Sequence, residues 1–272
     1  MTLEASDFDY ISKLVQTRSG IVLKSKEYLV EQRLQPICRS EGLTSVAQLV
    51  FRMRDPRSTE LQTRVVEAIA TNETSFFRDV YPFEVLTSTI LPELFARRSG
   101  NDRVNIWSAA CACGQEAYSI AMLLRDHFPG AARHSVRLIA SDISSRMIRQ
   151  AREGVYCQYE IERGLPSLIC DKHFRRDGES WRIVPKLAAM VDFRLINLLD
   201  PQTSLPQMDV IFLRNVLIYF SDADRRRVLL NIHRLLRPGG YLFLGMSENN
   251  LSGQDKFQTV LSDKCSYFRA IA

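Results

Sequence analysis

No apolar run in this sequence approaches the roughly 20 residues that a membrane span requires. The first ten residues, MTLEASDFDY, carry acids where a secretory leader would carry lysines and a hydrophobic stretch. Both absences predict a cytoplasmic protein. The cysteines, at 38, 111, 113, 157, 170 and 265, form no C-x-x-C pair and no second cluster, so no zinc site is indicated. They are expected to be buried small hydrophobes in a reducing compartment. The histidines (127, 134, 173 and 233) are isolated, with none at helical spacing from another histidine or carboxylate in a metal-binding pattern. That argues against histidine metal ligation and histidine base catalysis. There are no internal repeats, no low-complexity segments and no G-x-G-x-x-G fingerprint.

With 272 residues, the chain can bury one large core, or one core with a smaller attached domain. Its 46% hydrophobic and 25% charged residues are ordinary for a globular protein. The formal charge of +5 suggests acidic partners but is too small to argue nucleic-acid binding by itself. Its distribution says more. Residues 10–39 hold six bases (Lys13, Arg18, Lys24, Lys26, Arg33, Arg39) against two acids (Glu27, Glu31), a surplus of four. Such a surplus is either a solvated helix face or a docking surface for an acidic helix.

Up to about residue 70 the apolar spacing is helical. Ile11, Leu14 and Val15 make one stripe, Tyr28, Leu29, Leu34 and Ile37 a second, and Leu49–Met53 and Leu61–Ala70 a third and fourth. Ser6 or Asp7 is the expected cap of the first helix and Thr44 of the third. A connecting helix follows over roughly 81–98. From Arg103 strands alternate with helices: VNIWSA, QEAYSIAMLLRDHF, SVRLIAS, SSRMIRQAREG, VDFRLI, MDVIFLRN, DADRRRVLLNIHRLL, a turn at RPGG, and YLFLGMS. FQTVLS and CSYFRAI read as a closing antiparallel pair. The alternation predicts an α/β fold with a mainly parallel sheet covered on both faces and a ligand edge at the strands' C-terminal ends. Residues of about 156–190 interrupt it as an insertion.

IWSAACACGQEAYSI is a strand, a tight turn of small residues and a helix, which lets a ligand approach the backbone. Asp142 ends the next strand, 28 positions beyond Gly114. An acid there either accepts hydrogen bonds from a ribose diol or caps the helix that follows.

Six blocks in order, TNETSFFRD (71–79), IWSAACACGQEAYSIAM (106–122), SDIS (141–144), NLL (197–199), FLRNVLIYF (212–220) and GMSEN (245–249), resemble the signature blocks of the chemotaxis receptor glutamate O-methyltransferases, the CheR family. The resemblance covers nearly the whole chain. It implies a Rossmann-like S-adenosylmethionine-dependent methyltransferase domain at 99–272, carrying an inserted small β-subdomain at about 156–190. Ahead of it would come an all-helical receptor-docking domain at 1–75 and a linking helix at 76–98. The implied activity is transfer of the cofactor's methyl group to glutamate carboxylates of chemoreceptors, leaving S-adenosylhomocysteine, with no metal, no nucleic acid and no membrane insertion.

By matching motif, the cofactor residues are Asn72, Thr74, Arg78, Glu116, Asp142 (at the ribose), Asn197 and Leu198 (at the adenine), Arg214 and Asn215. Arg78 and Tyr219 are the expected catalytic pair. Arg78 would orient the substrate carboxylate through its planar fork, and Tyr219 would donate its hydroxyl or shape the methyl pocket. Other roles are open to some of them: helix caps for Asn72 and Thr74, a structural ion pair for Arg214, plain aromatic core for Tyr219. The family commonly has Ser-Thr-Gly-Glu-Glu-Pro where this chain has Ala112-Cys113-Gly114-Gln115-Glu116-Ala117, which removes two hydroxyls and one acid.

A glutamate carboxylate, with a pKa of about 4.3, is already an anion at neutral pH, so the chemistry needs alignment and dryness rather than a base. In some members the inserted subdomain also grips a peptide tether at the receptor's C-terminus. Here HFRRDGESWRIV (173–184) looks shorter than in those members, and independence of the tether is expected. Two other readings compete: a catalytically weak cofactor-binding scaffold, and a methyltransferase for another substrate such as nucleic acid. The latter would normally show N/D-P-P-Y/F where this chain has Arg214-Asn215-Val216-Leu217.

Overall fold

A computed structural model describes residues 3–23, 27–97, 102–130, 136–248, 255–262 and 265–271. The chain divides into two compact units, Met1–Thr71 with Tyr219–Arg227, and Asn72–Ile218 with Val228–Ala272.

The first unit contains helices α1 (Ala5–Ser19), α2 (Glu27–Ser40), α3 (Val46–Met53) and α4 (Thr59–Ile69). Its core is built from Ile11 and Val15, Val30, Leu34 and Ile37, Leu49, Val50 and Met53, and Val65, Val66 and Ile69. These are the positions at which a 3.6-residue repeat returns to one face. Three local expectations need correction. Glu4 rather than Ser6 or Asp7 stands at the N-cap of α1 and makes no side-chain cap bond. The α3 cap is Ser45, whose hydroxyl accepts from the Gln48 amide, one residue beyond Thr44. Tyr28 is 69% exposed, and Val30 fills the core position of its helix instead.

The basic stretch is partly committed internally. The Arg33 guanidinium donates to the Ile69 carbonyl and to Thr71 Oγ1, serving the C-terminal end of α4. Arg18 Nη2 donates to Gln62 Oε1 at 2.5 Å. Lys24 and Lys26 lie outside the described residues, while Lys13 and Arg39 are exposed. At the unit's returning segment, Val22 donates its amide to the Tyr219 carbonyl at 2.8 Å, and Ile21 bridges to Phe220.

The second unit opens with α5 (Tyr81–Val85), a π-helical turn at Leu86–Ile90, and α6 (Leu91–Arg97). Then follow β1 (Val104–Ala109), α7 (Gln115–His127), β2 (Val136–Asp142) and α8 (Ser145–Glu153). The insertion holds β3 (Val155–Cys157), α9 (Gln158–Glu162), α10 (Ser167–His173), β4 (Phe174–Asp177), β5 (Ser180–Ile183) and α11 (Pro185–Ala188). The chain closes with β6 (Val191–Leu195), β7 (Met208–Leu213), α12 (Asp222–Leu235, begun in the first unit), β8 (Leu236–Leu244), β9 (Phe257–Leu261) and β10 (Ser266–Ala270).

The seven-stranded sheet has the order β6-β2-β1-β7-β8-β10-β9. β6, β2, β1, β7 and β8 run parallel, whereas β10 is antiparallel to both β8 and β9. Every residue of β1 and β7 is buried, as befits central strands covered on both faces. The insertion forms its own antiparallel sheet, β3-β5-β4. RPGG is not a turn between elements. It lies within β8, where the pairing with β7 shifts register between Met208 and Val210 and Gly239 takes φ 74°. A bulge absorbs the turn-forming residues without ending the strand. No helix among the described residues is long and apolar enough to cross a membrane.

Candidate functional site

Strand order reverses between β1 and β7, the place where a doubly wound sheet leaves a crevice beyond its C-terminal strand ends. The connection after β1 is built for close approach. Ala110, Ala112 and Gly114 all take positive φ, at 57°, 48° and 92°. At Gly114 a Cβ would come within 3.0 Å of the Ala151 Cβ and 3.2 Å of the Phe193 ring, so this position needs glycine for space as well as for conformation. From the insertion, Tyr156 Oη donates to the Cys113 carbonyl at 2.8 Å and holds the same turn.

Asp142 ends β2 and is 6% exposed. Its Oδ2 accepts from the Ala112 amide and its Oδ1 from the Ser144 amide, both at 2.9 Å. The cap of α8 is Ser144, whose hydroxyl accepts from the Met147 amide. Asp142 therefore braces the two strand-end loops, while Ser144 occupies the N-cap position of α8.

Glu116, in the first turn of α7, accepts from Ser108 Oγ at 2.7 Å and from Arg214 Nη1 at 2.9 Å. Arg214 follows β7. Its Nη2 donates to Asp79 Oδ2 at 2.7 Å and to the Arg78 carbonyl at 2.8 Å, its side chain is 2% exposed, and its guanidinium lies over the Phe83 ring. Its Nε–H is buried with no hydrogen-bond partner among the described residues. Arg214 is thus the ion-pair centre of the edge, joining two carboxylates to the 76–80 segment. One guanidinium between two acids leaves the trio acceptor-rich, which suits a ligand bearing an ammonium and hydroxyls.

Asn215 takes φ 58° and donates its amide to Glu248 Oε2 at 2.6 Å. That carboxylate also accepts from the Gly245 amide at 2.8 Å and the Ile218 amide at 3.1 Å. Asn197 Oδ1 accepts from the Leu199 amide at 3.1 Å, and Leu198 is buried beside it just after β6. Asn72 and Thr74 are half-buried in the non-helical stretch before Phe76, and neither caps a helix. Arg78 is half-buried, with Nη1 donating to the Glu73 carbonyl at 3.2 Å. Tyr219 ends a 3-10 turn at Leu217–Tyr219 and belongs to the first unit.

Asp79, Ser108 and Glu248 join these networks although the motif reading assigns none of them. All three sit inside quoted blocks, and that is their only signal; Asn249, last in its block, lies outside the described residues. The altered ACGQ stretch has a local account. Cys113 donates its thiol to Gln115 Oε1 at 3.1 Å, and Gln115 is 2% exposed. Burial pushes the Cys111 thiol well up, helped by the charges of Asp142 and Glu116, and burial also raises Cys113. Both stay protonated and are poor nucleophiles. The expectation of uniformly buried cysteines fails at Cys157, which is exposed at the N-cap of α9, and at Cys265, which is half-buried. Isolation fails for His173, which is fully buried with Nε2 3.0 Å from Asp126 Oδ2. Among the described residues no group of three or more His, Cys, Asp or Glu could hold a metal ion.

Sheet order, reversal point and acidic strand ends define a Rossmann-like cofactor-binding domain that carries an inserted β-subdomain and is preceded by a small helical domain. Residues 6–70 match the CheR methyltransferase all-alpha domain, and residues 72–265 the CheR methyltransferase SAM binding domain. The chain belongs to the CheR methyltransferase family. It is 42% identical to chemotaxis protein methyltransferase 1 of Pseudomonas aeruginosa over 99% of this chain and 100% of that protein. Identity is 40% to chemotaxis protein methyltransferase Cher2 of Pseudomonas putida, covering 93% and 94%. The Escherichia coli chemotaxis protein methyltransferase is 36% identical, covering 92% and 86%. The family and fold expected from the six blocks both hold.

Proposed function

We propose that this protein transfers the methyl group of S-adenosylmethionine to glutamate side-chain carboxylates of chemoreceptors in the cytoplasm, giving methyl esters and S-adenosylhomocysteine. The observation that carries the reading is the acceptor-rich edge, with Glu116 at the start of α7, Asp142 at the end of β2 and a buried Arg214 between Glu116 and Asp79. The relatives' shared name supports the chemotaxis assignment.

The residues present fit the cofactor by their donor and acceptor chemistry. Glu116 would accept from its ammonium and Asp142 from its ribose hydroxyls, and Asn197 and Leu198 would flank its adenine. The unmet Arg214 Nε–H suits an acceptor group, and Asn72, Thr74, Arg78 and Asn215 would complete the set. S-adenosylmethionine, when bound, supplies an electrophilic methyl group on a sulfonium. Arg78 orients the substrate carboxylate, and Tyr219 donates its hydroxyl or shapes the methyl pocket, a role assigned on the family motif alone. The carboxylate needs no deprotonation at neutral pH, so positioning and exclusion of water carry the rate.

The exposed bases of the first unit are assigned to docking against acidic receptor helices, and binding is taken to be independent of a C-terminal tether. The test is labelling with radioactive methyl cofactor and receptor-rich membranes, followed by base. Volatile methanol supports carboxyl methyl esters; base-stable label points to N-methylation, and no label to a scaffold. Calorimetry with a receptor C-terminal peptide tests the tether: tight binding would refute independence.

A further inference from the structure

Residues 76–80 hold a backbone that their own side chains disfavour. Phe77, Asp79 and Val80 take φ of 49°, 64° and 39°. None is glycine, and L side chains disfavour each of these conformations. For β-branched Val80 the conformation is an outlier. It persists only where the surroundings over-determine it.

Here they do. Ser119 Oγ accepts from the Phe77 amide at 2.9 Å. The Phe76 ring packs edge-on against Tyr156 and Phe174 of the insertion, with centroids 5.0 and 5.5 Å apart. Gly164 lies so close to the Phe76 carbonyl oxygen that a Cβ there would overlap it. Arg214 Nη2 holds both the Asp79 carboxylate and the Arg78 carbonyl.

Every one of these grips takes hold of the segment's backbone, the Phe76 ring or the Asp79 carboxylate, and none takes hold of the Arg78 guanidinium. That group makes one hydrogen bond among the described residues, to the Glu73 carbonyl. A rigid stalk therefore carries a lightly held cation. Asp79 is the segment's own charged contribution to that rigidity, because a single nitrogen of Arg214 spans its carboxylate and the preceding carbonyl.

We propose that Asp79 is a positioning residue: acting through Arg214, it fixes the backbone at Arg78 so that the guanidinium meets a ligand in one orientation. The proposal rests on the cofactor reading of this edge. It is tested by calorimetry of S-adenosylhomocysteine with the full chain, its D79A, D79N and R78A variants and the D79A/R78A double variant, alongside thermal melts. At a temperature where every variant is folded, D79A is expected to weaken binding about tenfold and R78A at least as much. The double variant should bind within about threefold of R78A alone, since a residue acting through Arg78 has little left to lose once Arg78 is gone.

A lowered melting temperature with unchanged affinity for D79A would assign it a structural role only and overturn the proposal. So would full additivity in the double variant. If D79A does not fold, the isosteric D79N enters the same cycle. Normal binding by R78A overturns the proposal while leaving the cofactor reading in place. Failure of the unsubstituted chain to bind removes both.

Discussion

Replacing Glu248 by alanine removes one buried carboxylate from three backbone donors at once: the amides of Asn215 at 2.6 Å, Gly245 at 2.8 Å and Ile218 at 3.1 Å. With the residue only 8% exposed, water replaces these bonds poorly. Each stranded buried donor costs about 1–3 kcal/mol, so the three together should cost roughly 3–6 kcal/mol once partial relaxation is allowed. That is a large share of the ~5–15 kcal/mol that holds a domain folded. At about 2–4 °C per kcal/mol, E248A should melt roughly 6–24 °C lower. E248Q keeps one carbonyl acceptor but turns an NH2 toward the remaining donors, and should fall between E248A and the unsubstituted chain. Urea denaturation and thermal melts of all three proteins make the assay. A loss below about 1 kcal/mol for E248A would refute the view that this carboxylate ties the loop after β7 to the end of β8.

The two left-handed glycines of the insertion should behave differently. A Cβ at Gly164 (φ 113°) would overlap the Phe76 carbonyl, whereas one at Gly178 (φ 62°) meets nothing within 4 Å. G164A should therefore cost more than about 2 kcal/mol and G178A about 1 kcal/mol by urea midpoint; equal costs would count against the wedge. In the first unit, S45A should lose about 1 kcal/mol and T44A much less, because only Ser45 caps α3. Burial raises the Cys111 and Cys113 thiols above their unfolded values, so their stabilisation is complete below about pH 8.5 and is lost as pH rises above it. Denaturation at pH 7.5 and 10 should show a fall of up to about 1.4 kcal/mol per pH unit per thiol, shallower in the C111A/C113A variant. An unchanged slope would sink the assignment.

Elements whose identity depends on local repetition were readable in advance. VNIWSA coincides with β1, QEAYSIAMLLRDHF with α7 to within a residue, and the closing antiparallel pair with β9 and β10. Apolar spacing did not reveal that Tyr28 faces outward, since an aromatic residue at helical spacing looks the same whether or not a neighbour covers it. Turn chemistry at RPGG was real but was taken up by a bulge in β8. Cap positions missed by a residue or more, because Thr44 and Ser45 are chemically equivalent until the chain direction at that point is known.

Side-chain periodicity, small residues after β1 and the ordered motif blocks were enough to specify the order of elements, the family and the strand ends at which a ligand would sit. Partner choice within that edge came from the fold. Arg214 meets Glu116 across 98 positions and Asp79 across 135. Bonds about 3 Å long cannot be specified by residues that far apart until the sheet order sets β7 beside β1. Once it does, an arginine that could have faced a ligand alone becomes the buried centre to which two acids and a strained loop are tied.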